Sequence, residues 1–163
     1  VEQEGTFPLP EAQRDRFLLT VKPGYPSAED EEAIVLRFER ANPIDALASV
    51  MSPADLTETI ALCRHIRVSD AVRSYLVALV RATRNHAEIR LGASPRATQN
   101  LYRSAQALAA VRGRAFVLPD DVKALAVPVL AHRLLSGARS RLGGRTTEDI
   151  LRDLMETVPV PVE

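Results

Sequence analysis

The side chains here that could do chemistry are mostly arginines. Only Lys22 and Lys123 carry an ammonium among 21 basic residues, so nearly all the positive charge is permanent, planar guanidinium suited to bidentate contact with carboxylate or phosphate. The most pointed placement is in GASPRA, residues 92–97. There a glycine ends one segment, Ser94 is set to cap the next, Pro95 takes the first helical position and Arg96 projects from the first turn. A helix N-terminus favours anions, so Ser94, Pro95 and Arg96 together suit a phosphate held between this helix and another surface. From spacing alone Arg96 also reads as a solvated surface charge.

Other chemistries find little support. His65, His86 and His132 lie far apart, and none has a partner at the i+3 or i+4 spacing of a helical metal site, so no metal ligands are assigned. Cys63, the single cysteine, excludes an internal disulfide and sits on an apolar helix face, as a core residue does. No glycine is followed by lysine, so the phosphate-cradling loop GxxxxGK[ST] is absent, and this chain alone is expected to bind nucleotide poorly and to be inactive as an enzyme. Basic and acidic residues balance at 21 each, so no overall field recruits nucleic acid or anionic lipid.

The composition sets the class. Hydrophobic residues at 46% with 26% charged describe a soluble globular protein, and no run approaches the roughly 18 apolar residues of a membrane span. A reducing, cytoplasmic setting is the expectation. With 163 residues the chain is one ordinary domain, or a small domain with an attached piece. It opens at Val1 in the middle of what reads as a motif, as a fragment would.

The elements that must carry these residues are nearly all helices. VEQEGTFPLP reads as a loop, and residues 10–17 as two helical turns starting at Pro10. Phe17, Leu19 and Val21 alternate with Leu18 and Thr20 as a short strand, ended by Pro23 and Gly24, with no sheet partner elsewhere in the chain. Ser27 caps a helix with Ile34, Val35 and Phe38 on its apolar side and Arg37 and Arg40 near its end; Asn42-Pro43 closes it. Ser52 and Pro53 open another through Leu56, Ile60, Cys63 and Ile66, and Ser69 caps a third that buries Val72, Leu76, Leu79, Val80 and Thr83 with Tyr75 alongside. A link of about two residues would make those two helices packed neighbours.

The central helix runs from residue 94 to about 112, with Leu101, Ala105, Leu108 and Val111 inward and Ala97, Ala107, Ala109 and Ala110 allowing close approach. A further helix from Pro119 buries Val122, Leu125, Val129 and Leu130, with Pro128 placed to kink or break it. SGARSRLGGR reads as a flexible basic linker, and residues 146–157 as a short amphipathic helix carrying Ile150, Leu151 and Leu154.

Two separate motifs, EQEGTFPLPEAQRDRFLLTVKPGYPS and, far downstream, LGASPRATQNLYRSAQALAAVRGRAFVLPDDVKALAVPVLAHRL, together resemble the C-terminal portion of a MoxR-family AAA+ ATPase over residues 1 to about 135. The resemblance implies a mainly α protein: a helical bundle, the AAA+ lid, with a short remnant of the α/β nucleotide-binding core. It divides the chain into residues 1–26 as the end of the core, 27–50 as a linker helix and connector, 51–135 as the lid with sensor 2, and 136–163 as a flexible tail.

The same resemblance implies roles. Arg16, in the DRF of PEAQRDRF, matches the arginine finger that reaches a neighbouring subunit's γ-phosphate. Arg14 is the second candidate, because residues two apart on a helix diverge by about 200° and cannot do the same job. Arg96 matches the sensor-2 arginine, which contacts phosphate from the lid of its own subunit, with Ser94 and Pro95 at the same helix start. In the intact protein the resemblance implies ATP with Mg²⁺, a homo-oligomeric ring (a hexamer), and a client or a von Willebrand factor A domain protein as partner. ATP would then be gripped between core and lid, with a hinge near Ser27. A reading of another class makes the chain a free-standing all-α interaction module without ATPase activity, its 146–157 helix binding a partner groove through Leu151 and Leu154.

Overall fold

A computed structural model describes residues 9–39 and 42–161. Residues 1–8 of the loop expected over residues 1–10, and the basic Arg40, lie outside them. The chain divides into two units, one of residues 1–20 with 62–163 and one of residues 21–61.

The larger unit is built on four helices: α4 (Asp70–Ala82), α5 (Pro95–Val111), α6 (Pro119–Leu130) and α8 (Thr147–Thr157). Ser69 and Ser94 cap α4 and α5 by accepting from the amides of Val72 and Ala97. In α4 the expected face is buried in full: Val72, Tyr75, Leu76, Leu79, Val80 and Thr83. In α5 the buried row is Ala97, Leu101, Ala105 and Ala109, spaced every four residues. Alanines in that row let α6 approach closely and bury Val122, Ala126, Val129 and Leu130. Val111, expected inward, is 86% exposed, because it lies two residues past Ala109 and so points about 200° away from the buried row.

Pro128 lies within α6, which stays helical to Leu130 before tightening into a 3₁₀ turn over Ala131–Arg133. Beyond it, the residues expected to form a flexible tail are folded. A short α7 (Ala138–Leu142) is followed by α8, whose Ile150, Leu151 and Leu154 enter the core, and Thr146 and Asp149 close a reciprocal capping box at its start. A partner groove therefore cannot take Leu151 and Leu154 from this fold. The linker is pinned as well: Arg145 Nη1 donates to Glu88 Oε1 at 2.7 Å and Ser140 Oγ to Glu88 Oε2 at 3.1 Å.

Strand structure differs from expectation. No strand forms over Phe17–Val21; the segment makes one such contact, Thr20 N donating to Pro128 O at 2.9 Å. Instead β1 (Ile89–Leu91) pairs antiparallel with β2 (Leu135–Ser136), Ile89 opposite Ser136 and Leu91 opposite Leu135. The described residues are thus mainly helical with one small sheet.

The smaller unit carries α2 (Ala28–Phe38), a 3₁₀ turn at Pro43–Ala46 and most of α3 (Pro53–Cys63), ahead of them α1 (Glu11–Arg14) belonging to the larger unit. Ser27 and Ser52 cap α2 and α3 as expected, while Asn42, expected only to close α2, also caps the 3₁₀ turn by accepting from Ile44 N. None of the three buries a residue. The link from α3 to α4 is not two residues but Arg64–Ser69, because this stretch leaves the helix to bridge Arg67 to Phe116, with Arg67 N donating to Ala115 O at 3.0 Å and Val117 N to Arg67 O at 2.9 Å. The buried amide of Gln106 holds it, donating to Ile66 O at 2.8 Å.

Candidate functional site

The GASPRA segment is positioned from behind by the C-terminal end of α4. The buried hydroxyl of Thr83 donates to Val80 O at 2.6 Å and accepts from Ala93 N at 3.0 Å, while Arg84 Nε donates to Ala93 O at 2.9 Å. Gly92 makes this approach possible: a Cβ there would fall 2.6 Å from Arg84 Cα and 2.8 Å from Thr83 O. The chain then turns into α5 with Ser94 as cap and Pro95 in the first turn, and Arg96 stands exposed beside them. The structural reading of this helix start therefore agrees with its sequence.

A second arm meets it from the other end of the sequence. Ser94 Oγ donates to both carboxylate oxygens of Asp15, at 3.0 Å each, and Arg133 Nε donates to Asp15 Oδ1 at 3.1 Å. Arg133 reaches further along the same segment, donating to Leu18 O at 3.2 Å, to Asp15 O at 3.3 Å, and closely to Phe17 O and Val129 O. Its side chain is 1% exposed and that of Asp15 26%. A guanidinium buried to this degree is tolerable because its donors meet one carboxylate and four carbonyls. The carboxylate of Asp15 also lies at the positive end of α5, where negative charge is favoured.

Charge gathers around this junction. Burial lowers the Arg133 pKa, Asp15 opposes that shift, and the nearby Arg96 charge adds to it. Burial also holds the His132 imidazole below its ordinary value, helped by the charges of Arg133 and Arg14. The Nε of half-buried Arg14 has no hydrogen-bond partner among the described residues. Arg16 is exposed, and neither it nor Arg96 forms an ion pair with a described residue.

The sequence-derived candidates are thus brought together by residues that the sequence did not single out. Arg16 and Arg96 belong to one unit and are linked through Asp15 and Ser94, so a hinge near Ser27 does not separate them. The reason is Arg133: its buried charge needs the Asp15 carboxylate, which ties the segment after α1 to the end of α6. Asp15 and Arg133 were hidden by ordinary positions, one between two arginines and one in the last turn of a helix. No group of three or more His, Cys, Asp or Glu residues converges as a metal site among the described residues, and these residues do not fit Mg²⁺.

Comparison with known proteins gives consistent likenesses. Residues 81–154 match the AAA lid domain. The chain is 35% identical to the chaperone MoxR1 of Mycobacterium tuberculosis over 99% of its own length and 45% of that protein, and 34% identical to MoxR of Paracoccus denitrificans over 99% and 53%. Over nearly its whole length it resembles members of the MoxR family of AAA+ proteins. The uncharacterized protein YeaC of Bacillus subtilis is 39% identical over the whole chain and 51% of its own length. A crystal structure from Cytophaga hutchinsonii, of a protein named as a candidate ATPase, superposes with a TM-score of 0.91 at 32% identity, over 99% of this chain and 52% of that one. The chain spans about half the length of the relatives it matches, and corresponds to their C-terminal portion. Among the described residues no helix is long and apolar enough to cross a membrane.

Proposed function

We propose that this chain is the C-terminal part of a MoxR-type AAA+ ATPase which, as an intact cytoplasmic homo-oligomeric ring, hydrolyses ATP to ADP and phosphate and uses the cycle to remodel or mature a client protein. A von Willebrand factor A domain protein is the partner this reading favours. Arg96 is the sensor-2 arginine, engaging phosphate of its own subunit's nucleotide at the start of α5 with Ser94 and Pro95. Arg16 is the arginine finger, reaching the γ-phosphate in a neighbour's site, and Arg14 is the alternative for that role. ATP is the substrate, and Mg²⁺ would be held by residues other than those described here.

One observation carries the reading. At the junction of the DRF segment with α5, Arg133 has its carboxylate partner while Arg16 and Arg96 stand exposed without one among the described residues. Phosphoryl transfer needs cations placed where negative charge gathers, and a guanidinium already neutralised by its own chain would serve poorly.

The test is ATP turnover by the intact protein beside its Arg16→Ala and Arg96→Ala variants. We expect Arg16→Ala to cut turnover about a thousandfold while leaving nucleotide binding in place. Arg96→Ala should weaken the grip on ATP in the same subunit. Unchanged turnover in Arg16→Ala would remove this residue from the site and turn attention to Arg14.

A further inference from the structure

The backbone of Arg16 is held on both sides while its side chain is left exposed. On one side Asp15 O accepts from Arg133 Nη2 at 3.3 Å, and on the other Phe17 O accepts from the same nitrogen. The Asp15 carboxylate then fastens this mount to the start of α5 through Ser94 Oγ at 3.0 Å. Two residues beyond Ser94 stands Arg96. One carboxylate therefore joins the supports of both exposed arginines.

We propose that Asp15 is a positioning residue that couples the two arginines, so that phosphate engaged by Arg96 in a subunit's own site sets the reach of Arg16 into the neighbour's. The coupling has a definite physical sign. Asp15 lies at the positive end of α5, and a phosphate arriving at the same helix start brings negative charge beside its carboxylate. Repulsion weakens the bond to Ser94 and transfers Asp15 toward Arg133, which is buried and already bonded to it at 3.1 Å. The loop that carries Arg16 moves with Asp15, because the two residues are adjacent and share the Arg133 clasp. Loss of the phosphate restores the Ser94 bond. Arg133 and Ser94 thus share the carboxylate, and phosphate tips the balance toward Arg133.

The inference rests on the finger and sensor-2 assignments above, and its test separates the two. In the intact protein, Asp15→Ala is compared with Arg16→Ala for turnover, for binding of a fluorescent ATP analogue, and after mixing with subunits that keep Asp15 and Arg16 and bind ATP but cannot hydrolyse it. We expect Asp15→Ala to lower turnover about a hundredfold, the scale of a misplacement near 1 Å, while analogue affinity is kept or raised because the repelling carboxylate is gone. Mixing should restore turnover, because each Asp15→Ala site then receives a correctly mounted finger from its neighbour. A defect of folding would not be restored. Asp15→Asn, which keeps an acceptor oxygen and the side-chain volume, is read in the same assays should the alanine variant precipitate, and should show a smaller loss with the same rescue.

Wild-type turnover in Asp15→Ala, beside a dead Arg16→Ala, overturns the coupling and leaves the finger standing. Lost turnover that mixing does not restore overturns it too. Unchanged turnover in Arg16→Ala removes the finger assignment and this inference with it.

Discussion

Arg133 is the side chain on which the junction depends most. Its guanidinium is 1% exposed and meets Asp15 together with the carbonyls of Asp15, Phe17, Leu18 and Val129. Arg133→Met keeps much of the volume but leaves Asp15 without its counter-charge and those carbonyls without donors. Breaking a buried pair costs about 3–5 kcal/mol, and the partial exposure of Asp15 brings the expected loss to about 2–3 kcal/mol, read from the urea midpoint. A loss below about 1 kcal/mol would mean that the segment is held by something else. The neighbouring His132 makes a prediction with pH. Burial and the charges of Arg133 and Arg14 lower its pKa in the fold, so the unfolded chain takes the proton first. Stability is therefore full above the unfolded value of about 6.5, declines as pH falls below it, and levels off below the folded value. Melting temperatures between about pH 7.5 and 5 should show that decline, and His132→Gln should flatten it.

Among elements, the approach of GASPRA to the end of α4 is the tightest. Gly92→Ala would drive a methyl into the Arg84 and Thr83 backbone at 2.6–2.8 Å, where no side chain can swing away. The expected cost is about 1–3 kcal/mol, with Ser94 displaced from Asp15. Gly137→Ala is the matched control: its Cβ would meet Glu88 O at 3.5 Å, an ordinary contact, so its urea midpoint should stay near wild type. The glycine and the cap at this site were legible in the sequence, as were the Ser27, Ser52 and Ser69 caps, because capping is local chemistry within three residues. The buried face of α4 was legible for a similar reason: thirteen residues give the 3.6-residue period time to repeat. What stayed hidden depends on partners distant in sequence. β1 and β2 have three and two residues, too few for a period, and exist only because they pair across 44 positions or more. Phe17, Leu19 and Val21 do alternate, but alternation predicts a strand only where a sheet edge waits, and here Arg133 takes the carbonyls instead. Asp15 and Arg133 are 118 positions apart, and no spacing rule reaches so far.

At the scale of the whole molecule the two units differ in what holds them. In the larger one, the buried side chains of α4, α5, α6 and α8 form a single cluster, and each fully buried leucine or isoleucine contributes about 1.5–3 kcal/mol against the entropy of ordering. In residues 21–61 no described side chain is buried: Ile34 is 45% exposed, Val35 69%, Phe38 58% and Ile60 54%. The capping bonds of α2 and α3 are real, yet each cap supplies only about 1 kcal/mol, and a helix of 11 residues without tertiary burial is marginal in water. Amide exchange should separate the units accordingly. Core amides of α4, α5 and α6 should open only with global unfolding, at about 5–15 kcal/mol, while those of α2 and α3 should exchange through local opening at about 0–2 kcal/mol. Shifting temperature or denaturant should move the first set together and leave the second set nearly unaffected. Equal protection in both sets would mean that the apolar face of α2 is covered, and self-association, visible as concentration dependence of the protected amides, is how a lone chain would cover it. A local propensity can thus write a helix into the sequence without securing it, and the difference between α2 and α5, both capped by serine, is the burial of Leu101 and its neighbours.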